Sequence, residues 1–362
     1  MTQSVLIDAR EFNPGRRTGI SRVLEGLTDS LAEVDSVKKI TLAVSPECEI
    51  PCKLNSKRNI SKTSIPSGFL QAERALCRLS KGNLDLFISP YPKLPLFGVS
   101  CHAVNTVHDI LDLTHPAYRK RIRVFFDRFR LRTALKRASL TWYDSSWSLE
   151  ETKRHVGLVG NNPRVRYPAV DEIFGPDAAE HDDAILEKHR LQAGFILAVS
   201  NGLQHKNLGV LVEIAPMLSR KMVFVGISEN NRKYWQQDCH SVHTKWLTKV
   251  PDSELPALLR KSFCLAQPST AEGYGYPPLE AMACGVPAVV SDIPVLLETT
   301  GGNALAVDPS HAKAWKEAFD ALENKTTYRA QIEKGLRWVQ RFSGRRGWDK
   351  HILDIEELLK GH

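Results

Sequence analysis

No apolar run in the sequence approaches the about 18 residues that a membrane-spanning helix requires, so no bilayer crossing is expected. Met1-Thr2-Gln3-Ser4 leads straight into Val5-Leu6-Ile7. No basic segment precedes a long apolar one there, and no signal peptide is expected. Cysteine is sparse: seven in 362 residues, an odd number that suits a reducing, cytoplasmic setting better than a disulfide framework. Low-complexity segments and an evident internal repeat are also lacking. With 42% apolar and 25% charged residues the chain is not a disordered one, and its length suits two domains.

Acid is scarce in one stretch. Residues 51–137 hold 17 Lys and Arg against 5 Asp and Glu. Residues 1–175 carry 27 against 18, and residues 176–362 carry 22 against 23. A basic first half beside a neutral second half implies that one lobe meets an anionic partner, unless the charge only solubilises. Nucleic acid is not expected, because no nucleic-acid motif accompanies the charge. From Tyr118 to Ala138 the spacing predicts an amphipathic helix. Its apolar stripe is Tyr118, Ile122, Phe125, Phe126 and Phe129; its basic face is either solvated or rests on anionic lipid headgroups.

Short apolar strands alternate with helical stretches throughout. They are Val5–Ala9, Ile40–Ser45, Leu84–Ser89, Ala103–His108 and Leu140–Asp144, then Phe195–Ser200, Met222–Gly226, Val242–Leu247, Phe263–Ala266, Ala288–Asp292 and Ala304–Asp308. Continuous apolar strands predict parallel sheets covered by helices on both faces. The pattern occurs twice, which predicts an α/β protein of two doubly wound domains with ligand at the carboxyl ends of the strands. The polar run GPDAAEHDD marks the boundary. The domains are then 1–178 and 179–343, with a helix over 344–362 packing back on the first.

The segment richest in chemistry runs from Glu272-Gly273-Tyr274-Gly275-Tyr276-Pro277-Pro278-Leu279-Glu280 to Gly285-Val286-Pro287. Pro277 and Pro278 suit a first helical turn and Gly285 the position after the last. The glycines allow close backbone approach to a ligand, and N–H groups at a helix start favour phosphate. Glu280, placed in the first turn, can accept two hydroxyl hydrogen bonds. Either acid alone would read as support for its own helix or turn; two acids, two glycines and two prolines in one run point to a ligand. The Cys239-His240-Ser241-Val242-His243 segment and Cys48-x3-Cys52 lack the ligand pairs of a zinc site.

EGYGYPPLEAMACGVP resembles the E-x7-E segment of retaining glycosyltransferase family 4. Further matches follow in order: Asp8-Ala9-Arg10 with Gly19-Ile20-Ser21-Arg22, Thr106-Val107-His108-Asp109, and Leu197-Ala198-Val199-Ser200 to His205-Lys206-Asn207-Leu208. The resemblance implies a GT-B fold, in which two Rossmann-like domains face each other across a cleft. It implies a nucleotide-diphosphate sugar donor and no metal or other cofactor. Lys206 would neutralise the diphosphate, Glu272 hold sugar hydroxyls, Glu280 the ribose, and the N–H groups of Tyr274, Gly275 and Tyr276 line sugar and phosphate, with Gly273 also in the donor site. Gly19 would let a helix start approach the phosphate, and His108 would contact the sugar near the reacting carbon. The turn after Trp246-Leu247-Thr248, reaching Asp252, would hold the base.

Three positions depart from the family pattern. Ser200-Asn201 stands where an Arg is usual, His205 where another Arg precedes the Lys, and Tyr276 where Leu is usual. Arg16, Arg17 or Arg22 is the alternative source of the absent cation. The expected function is retaining transfer of a hexose onto a lipid-linked or polysaccharide acceptor, with mannose from GDP-mannose first among donors. The expected place is the cytoplasm, including the inner face of the cell membrane. Rhamnose, glucose or N-acetylhexosamine donors, a sugar-nucleotide epimerase and a non-catalytic sugar-nucleotide-binding subunit stay open.

Overall fold

The computed structural model describes residues 3–13, 18–116, 121–235 and 243–360. Arg16, Arg17, Tyr118, Arg119, Lys120 and residues 239–242 fall outside these, as do the side chains of Arg121 and Ile122. Contacts divide the chain into Met1–Ala169 with Gly344–His362, the first unit, and Val170–Ser343, the second.

The first unit is built on β1 (Gln3–Asp8), β2 (Val37–Val44), β3 (Ile60–Ser64), β4 (Leu86–Ser89), β5 (His102–Val107), β6 (Leu140–Tyr143) and β7 (Pro163–Val165). They form one parallel sheet in the order β3-β2-β1-β4-β5-β6-β7. The second unit holds β8 (Phe195–Val199), β9 (Met222–Val225), β10 (Thr244–Leu247), β11 (Ser262–Gln267), β12 (Ala288–Ser291) and β13 (Leu305–Val307), parallel in the order β10-β9-β8-β11-β12-β13. Each is a doubly wound Rossmann-like sheet. β4, β6, β9, β11 and β12 are buried at every residue, which is why they read as unbroken apolar runs. The chain order reverses between β1 and β4, and again between β8 and β11. These switch points open crevices at the strands' carboxyl ends.

The second unit begins at Val170 rather than at 179. The Val170 N–H donates to the Phe342 carbonyl at 3.0 Å, and the Arg260 guanidinium donates to the Gly175 carbonyl at 3.3 Å. Residues 170–178 are therefore already tied to the second unit. Of the helices, α1 (Gly19–Leu31), α2 (Phe69–Ser80), α3 (Arg121–Arg137), α4 (Tyr276–Ala283) and α5 (Asp349–Lys360) bear on function.

The predicted apolar stripe of α3 is not its buried one. Phe125, Phe126 and Phe129 are exposed, whereas Arg130, Leu131, Ala134 and Leu135 are buried. Arg130 tolerates burial because Glu73 accepts from it at 3.1 Å through both carboxylate oxygens and the Leu94 carbonyl at 2.9 Å. Among the described residues no helix is long and apolar enough to cross a membrane.

Candidate functional site

Lys206 and Glu272 meet at the switch point of the second unit. The chain leaves β8 through Ser200 and Asn201 and makes a tight turn at Gln204–Lys206. Gly202 sits in the left-handed region at φ 73°, with the side chains of Ile227 and Asn231 where a Cβ would be. Ser200 Oγ accepts from the Gly202 N–H at 3.0 Å and Asn201 Oδ1 from the Leu203 N–H at 3.2 Å. The two residues found in place of an arginine therefore shape the loop. The Thr270 N–H donates to the His205 carbonyl at 2.8 Å, tying this loop to the one that leaves β11.

The second loop delivers Glu272. Its Oε1 accepts from Lys206 Nζ at 2.7 Å, Gln267 Nε2 at 2.6 Å and Ser269 Oγ at 2.7 Å. Burial alone would raise the Glu272 pKa. The adjacent ammonium and the donors outweigh it and hold the carboxyl below its ordinary range. Gln267 and Ser269 were missed in the sequence; both lie at the carboxyl end of a buried strand, where a polar side chain is itself a signal.

α4 follows at once. Gly275 precedes it at φ 85°, and a Cβ there would lie 2.5 Å from Leu296 Cδ2. Tyr276 opens the helix, so Glu280 lies in its second turn and not in the first; its side chain is buried. The Tyr274 and Tyr276 rings meet edge to face at 5.0 Å. Lys206, Glu272 and the run Gly273, Tyr274, Gly275, Tyr276, Glu280 thus belong to one unit, on two adjoining loops and the helix α4 that follows the second. Asp252 opens the turn Asp252–Glu254 beyond β10.

Gly19 and His108 belong to the first unit. Gly19 is the first residue of α1, behind a capping box in which Thr18 Oγ1 accepts from the Ser21 N–H and Ser21 Oγ from the Thr18 N–H. The Gly19 and Ile20 N–H groups have no acceptor within the helix. Arg22 lies in the same helix. His108 Nδ1 lies 2.6 Å from Asp144 Oδ2 and Nε2 lies 3.0 Å from the Pro90 carbonyl. Burial disfavours the charged ring, but two acceptors on opposite nitrogens overcome it and raise the pKa to about 9. Near neutral pH His108 is an imidazolium engaged on both sides. Asp144, one residue beyond β6, was not singled out as its partner. At the switch point beside β1 and β4, Asp8 pairs with Arg10, and Tyr91 Oη donates to Glu11 at 3.3 Å. Among the described residues no group of three or more His, Cys, Asp or Glu is placed to hold a metal ion.

Residues 183–338 match the family described as glycosyl transferases group 1. Over 254 residues the chain is 29% identical to the O-antigen chain mannosyltransferase B of Escherichia coli, covering 67% of this chain and 66% of that one. It is 28% identical over 248 residues to the O-antigen chain mannosyltransferase RfbU of Salmonella typhimurium, with the same shares. The match thus spans about two thirds of each relative's length. Among solved structures, sucrose-phosphate synthase from Thermosynechococcus elongatus superposes with a TM-score of 0.80 at 16% identity, covering 99% of this chain and 98% of that one. Anabaena Alr3699/HepE in complex with UDP-glucose does so at 0.77 and 16%, covering 99% and 100%. At such identity these two report the fold alone. The architecture is thus that of the GT-B fold, and residues 183–338 of its second unit carry the similarity to glycosyl transferases group 1.

Proposed function

We propose that the chain transfers a hexose, mannose from GDP-mannose in the first reading, onto a lipid-linked or polysaccharide acceptor with retention of configuration. The observation that carries the transfer is the contact of Lys206 with Glu272 at the β8/β11 switch point, beside the Gly-rich entry to α4. A cation, buried acids and the backbone of a Gly-rich loop in one crevice suit a ligand that is both a diphosphate and a polyol. The choice of mannose follows the O-antigen mannosyltransferases of Escherichia coli and Salmonella typhimurium.

In this reading Lys206 meets the negative charge that grows on the departing diphosphate. Glu272 places that lysine before the donor arrives and turns its remaining acceptor capacity to sugar hydroxyls. Glu280 accepts from the ribose. The acceptor oxygen bonds to the anomeric carbon on the face from which phosphate departs. The bond from that carbon to the phosphate oxygen breaks, and the hydroxyl proton passes to the leaving phosphate.

Incubation with GDP-mannose, UDP-glucose, a UDP-N-acetylhexosamine and a nucleotide-activated rhamnose tests this. Nucleoside diphosphate release that depends on added glycan acceptor is the expected result, fastest with GDP-mannose. A second reading is a sugar-nucleotide-binding subunit without turnover, favoured by Ser200 and Asn201 standing where a second cation is usual. Donor-induced thermal stabilisation with no release under any acceptor would establish that one instead.

A further inference from the structure

Among the described residues, every exposed phenylalanine lies in one region of the first unit. Phe125 is 77% exposed and Phe129 54%, one turn apart on α3, with Phe126 beside them. Phe126 meets Phe69 at the start of α2, ring centroids 6.1 Å apart. Leu70 is exposed next to Phe69. Phe97, on the loop after β4, is exposed under the Arg74 guanidinium at 5.9 Å. Large aromatics turned outward at neighbouring positions are unusual for a soluble surface and mark an interaction site.

The surrounding charge selects the partner. Arg132 is exposed on α3 and Arg128 half-exposed, both on the helix face of Phe125 and Phe129, with Arg74 and Arg78 exposed on α2. Arg123, on the opposite side of α3 from Phe125, is instead engaged by Asp127 at 3.3 Å and Asp112 at 3.9 Å. A second copy of the chain would set the same guanidinium groups against each other, which disfavours self-association. Phenylalanine inserts at the boundary of headgroups and acyl chains, while arginine reaches phosphate.

We infer that this surface docks the first unit on an anionic lipid bilayer, with Phe125 and Phe129 entering the acyl boundary and the exposed arginines beside them on α2 and α3 held at the headgroup phosphates. The inference deepens the proposed function by placing a lipid-linked acceptor's membrane against the first unit. It is tested without any nucleotide sugar, so the two readings fail separately.

The experiment is co-sedimentation of the full chain with vesicles of equimolar phosphatidylglycerol and phosphatidylcholine, against phosphatidylcholine alone. The chain should bind only the anionic vesicles, and less as salt rises. F125S/F129S should lower partitioning about ten-fold or more. R128Q/R132Q should lower it about five-fold per arginine. All four side chains are wholly or partly exposed, and melting curves of both variants should match that of the parent. F125W should shift its emission to the blue on anionic vesicles. Failure of the parent to bind them overturns the inference. So does binding by F125S/F129S equal to the parent's, since charge alone would then suffice. Concentration-dependent dimerisation abolished by F125S/F129S, or preference for RNA over vesicles, would assign the patch to another partner and also overturn it.

Discussion

Removing the Lys206 ammonium has two effects that a pair of variants can separate. Lys206→Ala leaves the buried Glu272 carboxylate without its cation, though Gln267 and Ser269 still donate to it. Stability of the second unit should fall by about 3 kcal/mol, the low end for an uncompensated buried charge. Turnover should fall about 100-fold or more, because charge stabilisation at the leaving group is lost. In Lys206→Met/Glu272→Gln no charge is stranded, so chemical denaturation should show most of the stability restored while diphosphate release stays low. Near-normal turnover in either variant contradicts the assignment. Glu272 and Lys206 were both legible in the sequence because each sits in a dense local motif. Their contact was not, since 66 residues separate them and only the β8–β11 pairing brings the loops together. The Asp144 partner of His108 was hidden in the same way. Because the folded His108 pKa is raised, its contribution is fully present below the unfolded value near 6.5 and is lost as pH rises through about 9. Asp144→Asn should remove that alkaline loss from the denaturation profile of the first unit and lower its stability near neutral pH.

At the scale of elements, α3 shows how a hydrophobic period can mislead. Aromatics recur at three- and four-residue steps from Phe125 to Phe129, and that spacing favours an inward stripe. The inward stripe is instead Arg130, Leu131, Ala134 and Leu135, small enough beyond Arg130 for the helix to lie close on the sheet. The buried arginine is held through its Nη2, whose acceptors come from Glu73 and Leu94, far away in sequence, while its Nε has no hydrogen-bond partner. Glu73 also accepts from the Leu96 N–H at 2.7 Å, so one carboxylate joins α2, α3 and the loop after β4. Glu73→Ala should destabilise the first unit by about 3–5 kcal/mol, because it strands both a guanidinium and a backbone donor. Glu73→Ala/Arg130→Met should cost less than the single variant in urea denaturation. An equal or larger loss would mean that the ion pair is not what holds α3.

For the whole molecule, the parallel sheets were legible because strands covered on both faces must be apolar throughout. β3 and β7 were not, since they are edge strands whose residues are mostly polar or partly exposed, and β7 spans three residues. Nor does any local pattern reveal why the last residues return to the first unit. The reason is one carboxylate. Asp354 on α5 accepts from Trp142 Nε1 at 2.9 Å and from Arg166 at 2.7 Å through both oxygens, and it pairs with Arg164 as well. His351 lies between the Trp142 and Trp348 rings, each 4.9 Å away, where burial lowers its pKa to about 3 and keeps it neutral. A single amphipathic helix of this length has little stability of its own, so α5 is ordered by these contacts. Deleting residues 344–362 should expose Trp142, leave Arg164 and Arg166 without their carboxylate and lower the stability of the first unit by several kcal/mol. Asp354→Ala should reproduce much of that loss, and Asp354→Asn less, because an amide oxygen still accepts from one donor. Burial would raise the Asp354 pKa, but its arginine and tryptophan donors lower it. Its contribution is therefore present above the unfolded value near 3.9 and is lost as pH falls through the depressed folded value. His108 fails at the other end of the scale. Denaturation of the first unit across pH should then give a plateau bounded by acid loss through Asp354 and alkaline loss through His108. Asp354→Asn should remove its share of the acid limb and Asp144→Asn the alkaline limb; a limb that survives its variant would assign that loss to another group.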